Sequence, residues 1–192
     1  MDQQKRQRVY AFIDSQNVNV STQKFGWKMD WRKFRRFLND KYGVTQAYMF
    51  IGYVPEYEDM YEFLHDAGYS IVLKPTVDMN RPRDTVAQPQ PAEKTESEEK
   101  KPVKGNVDAE LVLWAMKELN NYDKAIIISG DGDFYCLAEY LDKEGKLLKL
   151  MPPNVHYSSL FKPYEKYIDH LGHYKRELAY RDRKFSKRKE SK

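Results

Sequence analysis

With 192 residues, 41% of them hydrophobic and 32% charged, the chain has the length and apolar content for one core of ordinary domain size, which argues against a second catalytic domain. It contains no run of about 18 apolar residues, so a membrane-spanning helix is not expected, and MDQQKRQR leads into a short apolar strand rather than a signal-peptide core, which points to the cytoplasm. The net charge of +4 is uneven: from Tyr174 to Lys192 nine Lys or Arg stand against three acids, leaving a near-neutral body with a basic end suited to a polyanionic partner.

Short apolar runs alternate with segments of helical period, the pattern of a parallel sheet covered by helices. The first strand is expected at Val9 to Ile13. Asp30 is placed to cap a helix through Tyr42, whose Trp31, Phe34, Phe37 and Leu38 recur at helical spacing before Gly43 closes it. A strand at Gln46 to Tyr53 follows, then a helix from Glu56 to Ala67 with Met60, Phe63 and Leu64 inward and Gly68 at its end, then a strand at Ser70 to Leu73. Residues 79–103 carry four prolines and the run EKTESEEKK without apolar periodicity, so a flexible insertion is expected there, as lid or spacer. A helix at Val107 to Leu119, a strand at Ala125 to Ser129, a helix at Phe134 to Lys143 ended by Gly145, and a strand at Leu147 to Met151 complete the alternation. Ser158 to Tyr167 and Gly172 to Tyr180 read as helical. The expected division is a tail at 1–7, one domain at 8–172 and a basic helix and tail at 173–192.

Four aspartates stand out. Asp14 directly follows the apolar run VYAFI, and Asp131 and Asp133 follow IIIS in SGDGDF. Strand ends of a doubly wound sheet lie on one edge, near the point where the strand order reverses. Asp108, in KGNVDAEL, begins a helix that should start on the same edge. Gly130 and Gly132 are expected to let the turn bend tightly and keep the approach to the carboxylates open. A strand-end Asp can serve simply as a helix cap, but four at convergent positions repel one another and call for a hard cation with oxygen ligands, Mg²⁺ or Mn²⁺. No histidine or thiol set competes for zinc. The single Cys136 is expected to be a packed thiol, and His170 and His173 to be surface residues.

The combination of FIDSQN at the first strand, KGNVDAEL at a helix start and SGDGDF after the fourth strand resembles the NYN domain, a branch of the PIN-like nucleases, over roughly Val9 to Leu150. The resemblance implies a Rossmann-like sheet and metal-dependent hydrolysis of RNA to 5′-phosphate and 3′-hydroxyl ends. Asp14, Asp108, Asp131 and Asp133 match the metal-site acids, with Asp14 and Asp131 as the main ligands, and Asn17 matches an active-site polar residue. One position departs from the pattern: members often carry a further Asp on this helix, about six residues beyond Asp108, and that place is taken here by Trp114, whose indole cannot bind a metal, while Glu110 is a poor substitute.

Asn17 and Ser129 are expected to hydrogen-bond a phosphate or hold a ligand, and Lys104 to contact phosphate at a helix opening. Most of the fifteen tyrosines belong to the core, while Tyr53, Tyr57 and Tyr135 are candidates for base stacking. RNA is the expected partner, and self-association is left open. The reading competing with a ribonuclease is an RNA-binding module of the same fold that cleaves weakly; a protein-interaction domain is a third.

Overall fold

The computed structural model describes residues 7–75 and 107–181. The expected insertion at 79–103, Lys104 and the chain after Arg181 lie outside the described residues.

Five strands, β1 (Val9–Asp14), β2 (Val44–Gly52), β3 (Ser70–Lys74), β4 (Lys124–Ile128) and β5 (Leu147–Leu150), form one sheet in the order β3-β2-β1-β4-β5. Every neighbouring pair is parallel. The strand order reverses between β1 and β4. The fold is therefore the Rossmann-like α/β sheet expected; in open sheets of this kind the carboxyl edge at such a reversal is where ligands generally bind.

Period-two alternation divides each central strand between two cores. Val9, Ala11 and Ile13 of β1 and Ile126 and Ile128 of β4 face one core, together with Val18, Phe34, Phe37, Leu38, Leu64, Leu171 and Leu178. Phe12 of β1 and Ala125 and Ile127 of β4 face the other, with Leu111, Ala115, Leu137, Leu141, Phe161 and Tyr164. Helices α1 (Ser15–Lys24), α2 (Trp31–Tyr42) and α3 (Glu58–Asp66) thus contribute to the first layer, and α4 (Asp108–Lys117) and α5 (Tyr135–Lys143) to the second.

Helix α2 follows expectation. Asp30 caps it by accepting a hydrogen bond from Lys33 N at 3.1 Å, and Gly43 ends it with φ 66°. Helix α1 was not expected, because SQNVNVSTQK buries only Val18 and Thr22 and so carries no apolar stripe. Its start is set by Asp14, whose Oδ1 accepts from Asn17 N at 3.0 Å.

Three expectations need correction. In α3 the inward residues are Tyr61 and Leu64, while Met60 and Phe63 are each 38% exposed; a 3₁₀ turn at Pro55–Tyr57 delays the α-helix to Glu58. The end of the chain is less helical than its periodicity suggests. Ser159–Tyr167 is a 3₁₀ stretch kinked at Tyr164 just after Pro163, which has no N–H to donate. A 3₁₀ turn at Leu171–Tyr174 then leads into one short helix, α6 (Lys175–Leu178). Cys136 is exposed rather than packed. At the end of α6 and just beyond it the backbone stays attached to the body, with Asp30 N donating to Leu178 O at 2.8 Å and Ala179 bridging Met29. Among the described residues no helix is long and apolar enough to cross a membrane.

Candidate metal centre

The register of β1 against β4 pairs Ile13 with Ile128, so the next residues, Asp14 and Ser129, lie side by side at the carboxyl edge. Since Ile13 and Ile128 share the first core, alternation turns Asp14 and Ser129 toward the layer that contains α4. Ser129, fully buried, donates its hydroxyl to Asp14 Oδ2 at 3.1 Å and accepts from Asp131 N at 3.2 Å. Asp131 Oδ1 in turn accepts from Asp133 N at 3.1 Å. Asn17, on the first turn of α1, accepts from Gly130 N through its Oδ1 at 2.9 Å. The β4 loop is thereby fastened at two points, to β1 through Ser129 and to α1 through Asn17.

Asp108, Asp131 and Asp133 converge: each offers a carboxylate oxygen, and these oxygens lie within 4.8 Å of one another. Asp14 is behind them, 5% exposed, with its two oxygens held by Asn17 N and the Ser129 hydroxyl. Burial pushes its carboxyl up to about 6; the two hydrogen bonds pull it down, and the charges of Asp108 and Asp131 push it further up. Four carboxylates thus share one neighbourhood, three presented to solvent and one buried beneath. The emphasis differs from the expected pairing of Asp14 with Asp131 as main ligands, since the converging set is Asp108, Asp131 and Asp133.

The donor set suits a hard divalent ion. It is all oxygen, and opposite ligands of a Mg²⁺-sized ion lie about 4.2 Å apart, so modest side-chain rotation closes the 4.8 Å spread. Glu110 is not part of the set. Its Oε2 accepts from Lys74 Nζ at 3.1 Å, tying the start of α4 to the end of β3. Trp114 is partly buried against the second core, with the Lys117 ammonium 4.0 Å from its ring.

Gly132 is needed for a reason other than the one expected, whereas a Cβ at Gly130 would meet only ordinary van der Waals contacts. Neither has a positive φ. A Cβ at 132 would lie 3.0 Å from Ser158 Cβ and 3.1 Å from Leu160 Cδ1, and closer still to the Ser158 hydroxyl; a Cβ at 130 would lie 3.4 Å from Pro153 Cδ and 3.5 Å from Tyr157 Cβ. The segment after β5 therefore packs directly on the acidic loop, and Ser158 N donates to Gly130 O at 3.0 Å. Sequence reasoning missed this wall of the site. Its only signal was the Pro152-Pro153 pair, which turns the chain out of β5.

Of the tyrosines considered for stacking, Tyr57 is 53% exposed, whereas Tyr53 lies against Tyr61 and Tyr135 against Tyr164, with ring centroids 6.0 Å apart in each pair. His173 is an exposed surface residue as expected, but His170 is only partly exposed: the two ring centroids are 3.5 Å apart, and His170 Nδ1 is buried with no hydrogen-bond partner among the described residues. Burial lowers the His170 pKa, and the neighbouring His173 lowers it further.

A parallel sheet with carboxylates gathered at its strand-order reversal defines the acidic-site class of Rossmann-like proteins to which the PIN-like nucleases belong. Residues 8–170 match the NYN domain, and the chain belongs to that family. Comparison with curated proteins gave no match. Among solved structures it is similar to a protein of unknown function from Vibrio parahaemolyticus RIMD 2210633, at 20% identity and a TM-score of 0.67, over 89% of this chain and 96% of that one. That likeness concerns the fold alone.

Proposed function

We propose that the protein is a divalent-metal-dependent ribonuclease that hydrolyses RNA phosphodiester bonds at the carboxyl edge of the sheet. The observation that carries this reading is the convergence of Asp108, Asp131 and Asp133 at the strand reversal of an NYN domain. Asp108, Asp131 and Asp133 would hold Mg²⁺ or Mn²⁺. When bound, the ion would favour ionisation of a water and offset charge building on the phosphate.

The chain's own residues do the rest. Ser129 links Asp14 to the Asp131 backbone, so the buried carboxylate sets the position of the loop that bears two ligands. Asn17 spends its carbonyl oxygen on Gly130 N, and its amide N–H groups are suited to donate to a phosphate oxygen. Ser129, fully buried, acts as a holder of ligands rather than a phosphate contact. In the reaction a water oxygen bonds to phosphorus, the bond from phosphorus to the 3′-oxygen breaks, and the departing oxygen takes a proton, leaving 5′-phosphate and 3′-hydroxyl ends. Trp114 supports a second reading, an RNA-binding module that cleaves weakly, because the resemblance to the NYN domain places it where members often carry a further acid.

Incubating the full chain and its Asp131→Asn and Asp108→Asn variants with end-labelled RNA in Mn²⁺, Mg²⁺ or chelator separates the two readings. The ribonuclease cleaves only with metal and loses at least about 100-fold in each variant, as expected when a charge-stabilising group is removed. Equal cleavage by all three proteins places the activity elsewhere, and RNA binding without cleavage by any of them selects the binding module.

A further inference from the structure

The loop that walls the acidic site continues into an aromatic pair. Ser158 N is bonded to Gly130 O, Tyr157 Cβ lies against Gly130, and one residue earlier the His156 ring meets that of Phe25, with centroids 5.6 Å apart and a tilt of 31°. Phe25 follows the last residue of α1, roughly 16 Å along the helix from Asp14 at 1.5 Å per residue. It belongs to neither core and is 44% exposed, and His156 is exposed as well. An exposed aromatic pair outside the core contributes little to folding, whereas it presents flat apolar faces beside the site.

Cations continue the path. Lys175 Nζ donates to the Phe25 carbonyl at 3.1 Å and lines a surface concavity with Arg176 and Arg181. Arg181 Nη2 donates to Arg176 O at 3.0 Å, which holds the two arginines together. Lys24 and Lys28 flank Phe25 in the chain, both exposed. The nearby acids do not cancel this charge: Asp169, outside α6, is engaged by Tyr42, Tyr174 and Lys41, and Glu177, the one carboxylate of α6, stands against Lys175, Arg176 and Arg181.

We infer that Phe25 and His156 form a stacking site for an unpaired nucleobase, with Lys175, Arg176 and Arg181 receiving phosphates further along the same single strand of RNA. The inference deepens the ribonuclease reading and rests on it for the choice of RNA. Stacking needs an accessible base face, so the strand favours single-stranded over duplex RNA, while the cations add affinity without sequence preference.

The test is fluorescence anisotropy of the full chain with a labelled oligoadenylate of about ten nucleotides, in chelator, against a duplex RNA of equal length. Phe25→Ala and His156→Ala are each expected to weaken single-strand binding by roughly 5- to 100-fold and duplex binding by less than about twofold. Phe25→Tyr keeps the wild-type affinity, and none of these substitutions lowers the thermal midpoint. The double variant Arg176→Ala with Arg181→Ala weakens both RNAs and flattens the salt dependence. Unchanged single-strand affinity in Phe25→Ala and His156→Ala overturns the stacking site, as does an equal loss for both RNAs. Because the assay omits metal, a chain that binds in this pattern but never cleaves overturns the hydrolytic reading alone. A cleaving chain indifferent to these substitutions overturns the stacking site alone, and a wild-type chain with no affinity for RNA overturns both.

Discussion

Replacing Asp14 by Asn should make the metal-free protein more stable near neutral pH. Asp14 is 5% exposed, and its carboxyl is raised from 3.8 to about 6 in the folded chain, chiefly by burial. Because the folded value lies above the ordinary one, protonation favours the folded state. The stability it confers is complete below about pH 4 and is lost as pH rises through about 6. The gap of about 2 pH units corresponds to roughly 3 kcal/mol of penalty on the ionised form. Asparagine removes that charge and keeps an oxygen for Asn17 N, but it offers an N–H₂ where the Ser129 hydroxyl now donates, at a cost of about 1 kcal/mol or somewhat more. The net gain is then about 1–2 kcal/mol, or roughly 3–6 °C in thermal midpoint for a chain of this size. The assay is thermal unfolding of both proteins in chelator across about pH 4.5 to 8. The gain should appear at the upper end and vanish or reverse at the lower, and saturating Mn²⁺ should stabilise the wild type far more than the variant. An equal destabilisation by Asn at every pH would refute the reasoning.

Gly132→Ala should destabilise by about 1–3 kcal/mol through overpacking on Ser158 and Leu160, and adding Ser158→Ala should recover part of the loss in urea unfolding; additive losses would contradict the contact. Ser129→Ala leaves Asp14 and Asp131 N each short of a partner, so Mn²⁺ affinity should fall about 10-fold or more by calorimetry while the fold persists by circular dichroism. Asp30→Ala removes the α2 cap and should cost about 1 kcal/mol, measured by denaturant midpoint, without changing metal affinity. Deleting residues 182–192 removes six Lys or Arg and two acids, so RNA affinity should drop and its salt dependence flatten, whereas unchanged binding would take the tail out of the account.

The strands were legible because a parallel sheet buries both faces, which leaves runs such as VYAFI and AIII uninterrupted by charge. The acidic neighbourhood was legible for the same reason: once the strand ends are known, topology carries Asp14, Asp131 and the start of α4 to one edge. What escaped was whatever depended on contacts distant in sequence. Helix α1 is held by one Asp cap and two buried residues, too few for a periodic signal. The need for glycine at 132 comes from Ser158 and Leu160, nearly thirty residues on, and not from its own backbone angle. The recession of Asp14 behind the other three acids follows from the β1–β4 register and the Ser129 hydroxyl, neither of which a motif reveals. The same holds for Phe25 and His156, which meet only after the segment past β5 crosses the edge of the sheet.

The central claim is that Asp108, Asp131 and Asp133 together hold a divalent ion. Titration of Mn²⁺ into the full chain, followed by the electron paramagnetic resonance of the unbound ion, tests it without recourse to activity. The account predicts a site whose affinity falls at least about 10-fold in each of Asp108→Asn, Asp131→Asn and Asp133→Asn. Wild-type protein that takes up no Mn²⁺, or variants that take it up as the wild type does, would contradict it.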